Sequence, residues 1–345
     1  MSIKTNAYVP VALAGLTLAA GYAGHANHVQ AQQYPSRTIQ VIVPYAPGGS
    51  IDVMTRAVMA ELSKTLNRNI VIDNRPGASG MIGTEQVTKA EADGHVLLGH
   101  TSSYTGTAAI RAKLPFDPAR AIVPVAGIGK SSLVLVVHPS LPVKNVREFV
   151  ELAKKNPGKL NYGSSGIGGN NHFAGALFDL AAGTSMLHVP YKGISLAMTA
   201  VASGEVEVVI ASSAAVNPQL RAGRVRARGM SGAAPSPLLP GLPSIAQAGL
   251  PGYEYQLWWG LFAPAGIPAE RLNFLNSTIN KLLAAPELKR FLDQESAEAW
   301  IATPQQLADL LPREIERYRK VAKAAGIPLQ GTSNNWFAKA GPPNS

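Results

Sequence analysis

The stretch LNYGSSGIGGNNHFAGALFDLAAG, residues 160–183, decides the reading of this chain. Leu160 to Tyr162 has the look of a short strand. Gly163 to Gly169 is a turn rich in glycine and serine. Asn170 to Ala182 has helical spacing and stops at Gly183, the residue that most readily takes a left-handed C-cap. Strand, Gly-rich loop and helix in that order place unpaired helix N–H groups and a positive dipole end beside the loop, which favours anions. In open α/β sheets, ligands lie beyond the carboxyl ends of the strands.

The same grammar occurs earlier. Ile39 to Val43 is β-branched and ends at Pro44. Pro47-Gly48-Gly49-Ser50 is the turn. Ile51 to Leu66 carries Ile51, Met54, Val58, Leu62 and Leu66 on one helical stripe. Here Ser50 suits the N-cap, and Asp52 suits the first turn of the helix. Two such loops suggest one jaw from each of two lobes, facing a shared cleft.

Outward from these loops the pattern alternates. Strands are expected at Ile70–Ile72, Val96–Gly99, Leu133–Val137, Leu187–Val189 and Val206–Ala211. Helices are expected at Met81–Ala90, Val146–Lys155 and Ser195–Ala202. Such alternation argues for doubly wound α/β sheets. Residues 231–252 are rich in Pro and Gly and read as loop. Trp258–Phe262 reads as a further strand, Glu270–Ala284 and Gln305–Ala325 as long helices, and 328–345 as a loose tail.

Composition narrows the function. The chain has 345 residues, enough for two ordinary domains. It contains no cysteine, which excludes disulfides, thiolate metal sites and thiol nucleophiles. The formal charge is +10, but the basic residues are scattered. Their densest cluster, Arg221, Arg224, Arg226 and Arg228, reads as a solvated face, and nucleic acid is not an expected partner. Lys4 precedes an uncharged apolar run, Val9 to Gly24, and Val29-Gln30-Ala31 offers small or apolar residues before a cut. That is the pattern of a secretory signal peptide cleaved near Ala31.

Known chemical motifs fail. There is no G-x-x-x-x-G-K-[ST], and Gly166-Ile167-Gly168 lacks the third glycine of a dinucleotide loop. No G-x-S-x-G elbow surrounds Ser164 or Ser165. The histidines show no metal-ligand spacing. Ser165 and His172 are the nearest nucleophile and base, and they keep a secreted hydrolase open as a rival. His172 itself reads either as a ligand donor or as a capping and packing residue.

The two loops, in this order, resemble those of the substrate receptors of tripartite tricarboxylate transporters, the Bug receptors. Asn74-Arg75-Pro76-Gly77-Ala78-Ser79-Gly80 with Ile82-Gly83 is similar to the family's N-R-P-G-A-G-G-x-I-G. Val189-Pro190-Tyr191-Lys192-Gly193 is similar to its V-P-Y-K-G. Leu250-Pro251-Gly252-Tyr253-Glu254, Trp258 and Ala263-Pro264-Ala265-Gly266-Ile267-Pro268 follow its C-terminal pattern.

The resemblance implies a type II periplasmic-binding-protein fold: two lobes, each a doubly wound α/β sheet, joined by two crossover strands near 133–137 and 257–262. Lobe 1 would take residues 32–132 and 263–327, and lobe 2 residues 133–262. It also implies a periplasmic receptor, not an enzyme, that captures a small carboxylate and delivers it to membrane permease subunits. No cofactor or metal is implied, and the receptor is expected to be a monomer. A sensor that presents its ligand to a signalling protein is the alternative.

By carry-over, Tyr45, Gly48, Gly49, Ser50 and Asp52 form one jaw. Ser164, Ser165, Gly166, Gly168, Gly169 and His172 form the other. Ser102, Ser103, Ser212 and Ser213 stand at the corresponding strand ends and set specificity. Two departures stand out: Arg228 replaces an apolar residue, facing either the cleft or a frayed edge, and Gln247 stands where Glu is usual. Tyr45 and Trp258 are candidates to stack on an aromatic ligand, with core packing the alternative for Trp258.

Overall fold

A computed structural model describes residues 1–3, 34–233 and 240–331. The expected signal peptide with its cleavage point, and the tail beyond Gly331, lie outside the described residues. The described residues from Tyr34 to Gly331 form one compact unit.

The first half of the sheet begins with β1 (Ile39–Val43), flanked by β2 (Ile70–Asn74) and β3 (Val96–Thr101), all parallel. The strand β9 (Gln256–Pro264) runs antiparallel to β3. Next comes β4 (Ile122–Val137), which belongs to both halves. Its residues from Ile122 to Ser132 pair with β9, whereas Leu133 to Val137 pair with β7 (Val208–Ser212) and with the edge strand β8 (Arg226–Met230). Parallel strands β5 (Asn161–Ser164) and β6 (Leu187–Pro190) complete the second half. A two-residue strand, β10 (Glu298–Ala299), pairs with β4 at Lys130 and Gly129.

The fold is therefore the two-lobed α/β architecture, and β4 is the strand that physically passes between the halves. The strand β9 pairs with first-half strands along its whole length, so the return crossing falls in the segment before Gln256. The first half of β4 contains Pro124, Gly127 and Gly129, residues that weaken a regular strand. They sit where the register slips, between Pro124 and Ala126 and between Gly127 and Gly129. Bulges at these points bend the strand without ending it.

Helices cover both faces. They are α1 (Ser50–Leu66), α2 (Met81–Thr88), α3 (Ser103–Ile110), α4 (Val146–Lys155), α5 (Asn170–Ala182), α6 (Ile194–Ser203), α7 (Ser213–Arg221), α8 (Ala269–Leu283), α9 (Pro286–Gln294) and α10 (Pro304–Ala324). The apolar stripe of α1 is buried through Ile51, Met54, Val58 and Leu62, as its spacing requires. The helix α5 ends at Gly183 with φ 62°, the left-handed cap expected there. In the second half, Phe149 of α4 and Phe178 of α5 are fully buried and meet at 5.4 Å between ring centroids. Burying each such ring contributes roughly 1.5–3 kcal/mol.

The helix α10 packs against both α3 and α5, and so against both halves of the sheet. Phe173 of α5 lies 4.7 Å from Tyr318 of α10. Glu314, half-buried on the same helix, accepts from Thr105 of α3 at 2.9 Å and from Trp258 Nε1 at 3.0 Å. The start of the C-terminal tail is not loose: Gln330 donates to the Ile110 carbonyl at 2.7 Å and accepts from the Ala112 N–H at 3.0 Å.

Candidate functional site

Because β1 and β3 are parallel, α1 and α3 start at one common edge of the first half-sheet. Because β5 and β7 are parallel, α5 and α7 start at one common edge of the second. Hydrogen bonds bring these two edges together.

In the first loop Gly48 has φ 79°, a conformation that favours glycine. Its N–H donates to Asp52 Oδ2 at 2.9 Å. Arg56 Nε donates to both oxygens of Asp52 at 3.0 Å, and Asn74 Nδ2 donates to Oδ1 at 3.0 Å. Burial alone would raise the Asp52 pKa; Arg56, Gly48 and Asn74 outweigh it and hold the carboxyl below its usual range. Asp52 is therefore a staple that shapes the loop, and its charge is spent inside the protein. The helix cap falls on Gly49, in extended conformation, one residue before the expected Ser50. The Ser50 hydroxyl instead accepts from Trp259 Nε1 at 3.1 Å. The first helical bond runs from the Val53 N–H to the Gly49 carbonyl at 3.0 Å. The N–H groups of Ser50, Ile51 and Asp52 precede it and have no acceptor within the helix.

Tyr45 links this loop to α3. Its hydroxyl is 2.6 Å from Ser103 Oγ and donates to the Ser79 carbonyl at 3.3 Å. Burial pushes its phenol up to about 12. Ser103 is in turn 2.7 Å from Thr101 Oγ1.

In the second loop Gly166 and Gly168 have φ 130° and 82°. Ser164 is fully buried; its Oγ is 2.6 Å from His188 Nε2 and accepts from the Gly166 N–H at 3.1 Å. Ser165 donates to Asn171 Oδ1 at 2.8 Å, and Asn171 Nδ2 donates to the Ile210 carbonyl of β7 at 2.7 Å. The Gly168 N–H donates to His172 Nδ1 at 3.1 Å. The His172 ring stacks on His188 with centroids 3.8 Å apart and 12° between planes. Burial pushes His172 down to about 4; burial and then the neighbouring His172 push His188 down to about 3. Both rings are thus neutral supports under the loop. Ser165 and His172, the pair a hydrolase would need, are engaged with different partners. Gly169 is the extended N-cap of α5, whose first bond joins the Phe173 N–H to the Gly169 carbonyl at 3.1 Å.

At the remaining strand ends, Ser102 is fully buried and donates to Asn170 Oδ1 at 2.9 Å. Ser212 caps α7 in extended conformation, and Ser213 is fully buried with no hydrogen-bond partner for its hydroxyl among the described residues. One polar seam results. It runs from Tyr45 through Ser103 and Thr101, across Ser102 and Asn170, and through Ser165 and Asn171 to β7.

Sequence reasoning missed Asn170, Asn171, His188, Thr101 and Asn74. The two asparagines stand inside the quoted loop, at the start of a helix where Asn commonly bonds locally; that was the available signal. His188, in contrast, is brought to Ser164 only by the β5–β6 register, where His188 pairs with Tyr162. Arg228 falls where the β4–β8 register shifts, between residues paired with Val136 and Leu135. It donates to the Ala227 carbonyl at 3.0 Å, and the charges that act on it are Arg226 and Glu148 of α4. It belongs to the sheet edge rather than the seam. Trp258 is buried and bonded to Glu314, a packing role.

Three comparisons bear on this geometry. A sequence profile described as the tripartite tricarboxylate transporter family receptor matches residues 54–327. Protein BugT of Bordetella pertussis is 33% identical over 310 residues, covering 89% of this chain and 95% of that protein. Two solved structures are also similar. R. palustris Rpa4515 with adipate has a TM-score of 0.79 at 35% identity, covering 86% of this chain and 99% of that one. MatC from Rhodopseudomonas palustris with bound malate has a TM-score of 0.75 at 30% identity, covering 84% and 99%.

Proposed function

This chain belongs to the tripartite tricarboxylate transporter receptor family, and from that premise we propose that it captures a small carboxylate between its lobes and hands it to membrane permease subunits. The reading places the protein in the periplasm as a monomer, its signal peptide cleaved near Ala31. The lobe limits expected from sequence, 32–132 with 263–327 and 133–262, are kept except at the second crossing, where 256–262 pair with first-half strands and go with lobe 1.

The observation that carries the proposal is the polar seam along the helix starts. Helices α1, α3, α5 and α7 begin at its two edges, so N–H groups and hydroxyls converge while the carboxylate beside the first loop, Asp52, is neutralised by Arg56 and hydrogen-bonded by Asn74. Such a site attracts a carboxylate without a formal positive charge in contact. Adipate and malate, bound by the two similar structures, are both short dicarboxylates. A ligand of that class would put one carboxylate on the first-turn N–H groups of α1, those of Ser50, Ile51 and Asp52, which precede its first helical bond. Ser103, Ser212 and Ser213 are then placed to discriminate the remainder of the molecule. Closing the lobes removes water and strengthens each of these bonds.

Titration calorimetry with adipate and malate tests the jaw assignment. A Cβ at Gly168 would stand 2.7 Å from Ile110 Cδ1, on backbone at φ 82°. Gly168→Leu is expected to fold and to lose binding. Binding equal to the parent's would remove the second loop from the site.

A further inference from the structure

We propose that Asn170 is the pin by which the first lobe holds the second jaw in register. Its amide oxygen accepts from Ser102 Oγ at 2.9 Å and from Tyr255 OH at 2.9 Å. Its Nδ2 lies 3.5 Å from Thr101 Oγ1. Asn170 opens α5, on the second half of the sheet. Thr101 ends β3, Ser102 caps α3, and Tyr255 lies on the return crossing just before β9. One side chain is thus bonded to the first lobe at two consecutive residues and to the crossing segment.

The local chemistry makes this choice unusual. Serine and asparagine at a helix start ordinarily bond to their own helix's first N–H groups. Neither does so here: Ser102 caps α3 without a side-chain bond to it, and α5 has no side-chain cap. Both groups bond across the gap instead. The surfaces beside them touch as well. A Cβ on Gly106 would come within 3.0 Å of the Gly168 carbonyl oxygen, and one on Gly168 would meet Ile110. Tyr255 is buried, and its hydroxyl also meets Tyr318 of α10 and Ser102, so Asn170 sits in a cluster of hydroxyls rather than on a lone pair. The three bonds therefore support each other.

Asn170 acts through the jaw it positions, and the ligand need not touch it. The proposal takes its purpose from the clamp reading above, but its test uses no ligand. The chain has no cysteine, so two can be introduced without background. Lys64→Cys on α1 and Lys154→Cys on α4, both exposed, take spin labels on the full mature chain. Pulsed electron resonance then gives the interlobe distance distribution.

Asn170→Ala is expected to broaden that distribution and shift it to longer distances. Asn170→Asp, which still accepts from Ser102 and Tyr255, is expected to keep it narrow. Ser102→Ala, which removes the bond to the first lobe, should broaden it in the same direction. An Asn170→Ala protein that unfolds as cooperatively as the parent and shows the parent's distribution would overturn the proposal, leaving Asn170 a packing residue. If Asn170→Ala fails to fold, an unchanged distribution in Ser102→Ala overturns it equally. A chain that binds no carboxylate yet responds as expected would refute the ligand reading and leave the pin standing.

Discussion

At the scale of residues, most side chains of the site have their bonding needs met within the protein, the buried Ser213 hydroxyl excepted. His172 and His188 show this most clearly. The Gly168 N–H can donate to Nδ1 of His172 only while that nitrogen is unprotonated. Burial holds His172 at about 4, and burial with the stacked His172 holds His188 at about 3, whereas an exposed imidazole titrates near 6.5. The folded values are depressed, so the unfolded chain binds these protons first. The stability they contribute is present above about pH 6.5 and is lost as the pH falls towards 4. His100, also held at about 3 by burial, acts in the same direction. Unfolding midpoints are therefore expected to be level from pH 8 to 7 and to decline from 6.5 to 4. The double variant His172→Gln, His188→Gln should show a shallower decline across that window. An unchanged slope in thermal scans would contradict the assignment of these rings as buried and neutral.

At the scale of elements, legibility followed periodicity. The helix α5 was readable to both ends because a glycine loop precedes it and Gly183 closes it. The helix α4 was readable because its apolar residues Val146, Phe149, Val150 and Ala153 share one face. The helix α3 was not: all of its residues, Ser103 to Ile110, are buried, so no polar face marks a helical period. The helix α7 carries Pro218 inside it, a residue that reads as a stop. The first half of β4 was hidden by Pro124, Gly127 and Gly129, which tertiary pairing accommodates as bulges. This account makes Gly127 indispensable to the crossing strand. A Cβ there would stand 2.4 Å from the Trp300 carbonyl oxygen, a backbone atom that cannot swing aside. Gly127→Ala is expected to destabilise the protein by about 3 kcal/mol. Denaturant titration checks it, and a loss below about 1 kcal/mol would mean that β4 and the Trp300 segment do not pack as described.

At the scale of the whole molecule, the fold class and the pair of Gly-rich loops were legible because each loop is a local pattern. The seam between them was not, because Ser102 and Asn170 are 68 positions apart in sequence and meet through the sheet. Only the three-dimensional arrangement separates residues that form the seam, such as Ser102 and Asn170, from those, such as Asp52 and His172, that brace the loops beside it.

The central claim is that this chain is a receptor for a small carboxylate. A thermal-shift screen of the mature protein tests it most directly, using aliphatic and aromatic mono-, di- and tricarboxylates, adipate and malate among them, with acidic and neutral amino acids alongside. A ligand at 100 times its Kd adds about 2.7 kcal/mol to folding stability, which raises the midpoint measurably. The account predicts that one structural class of carboxylates raises the midpoint and that the rest do not. A flat response across the panel, from protein that mass spectrometry shows to carry no bound small molecule, would contradict it.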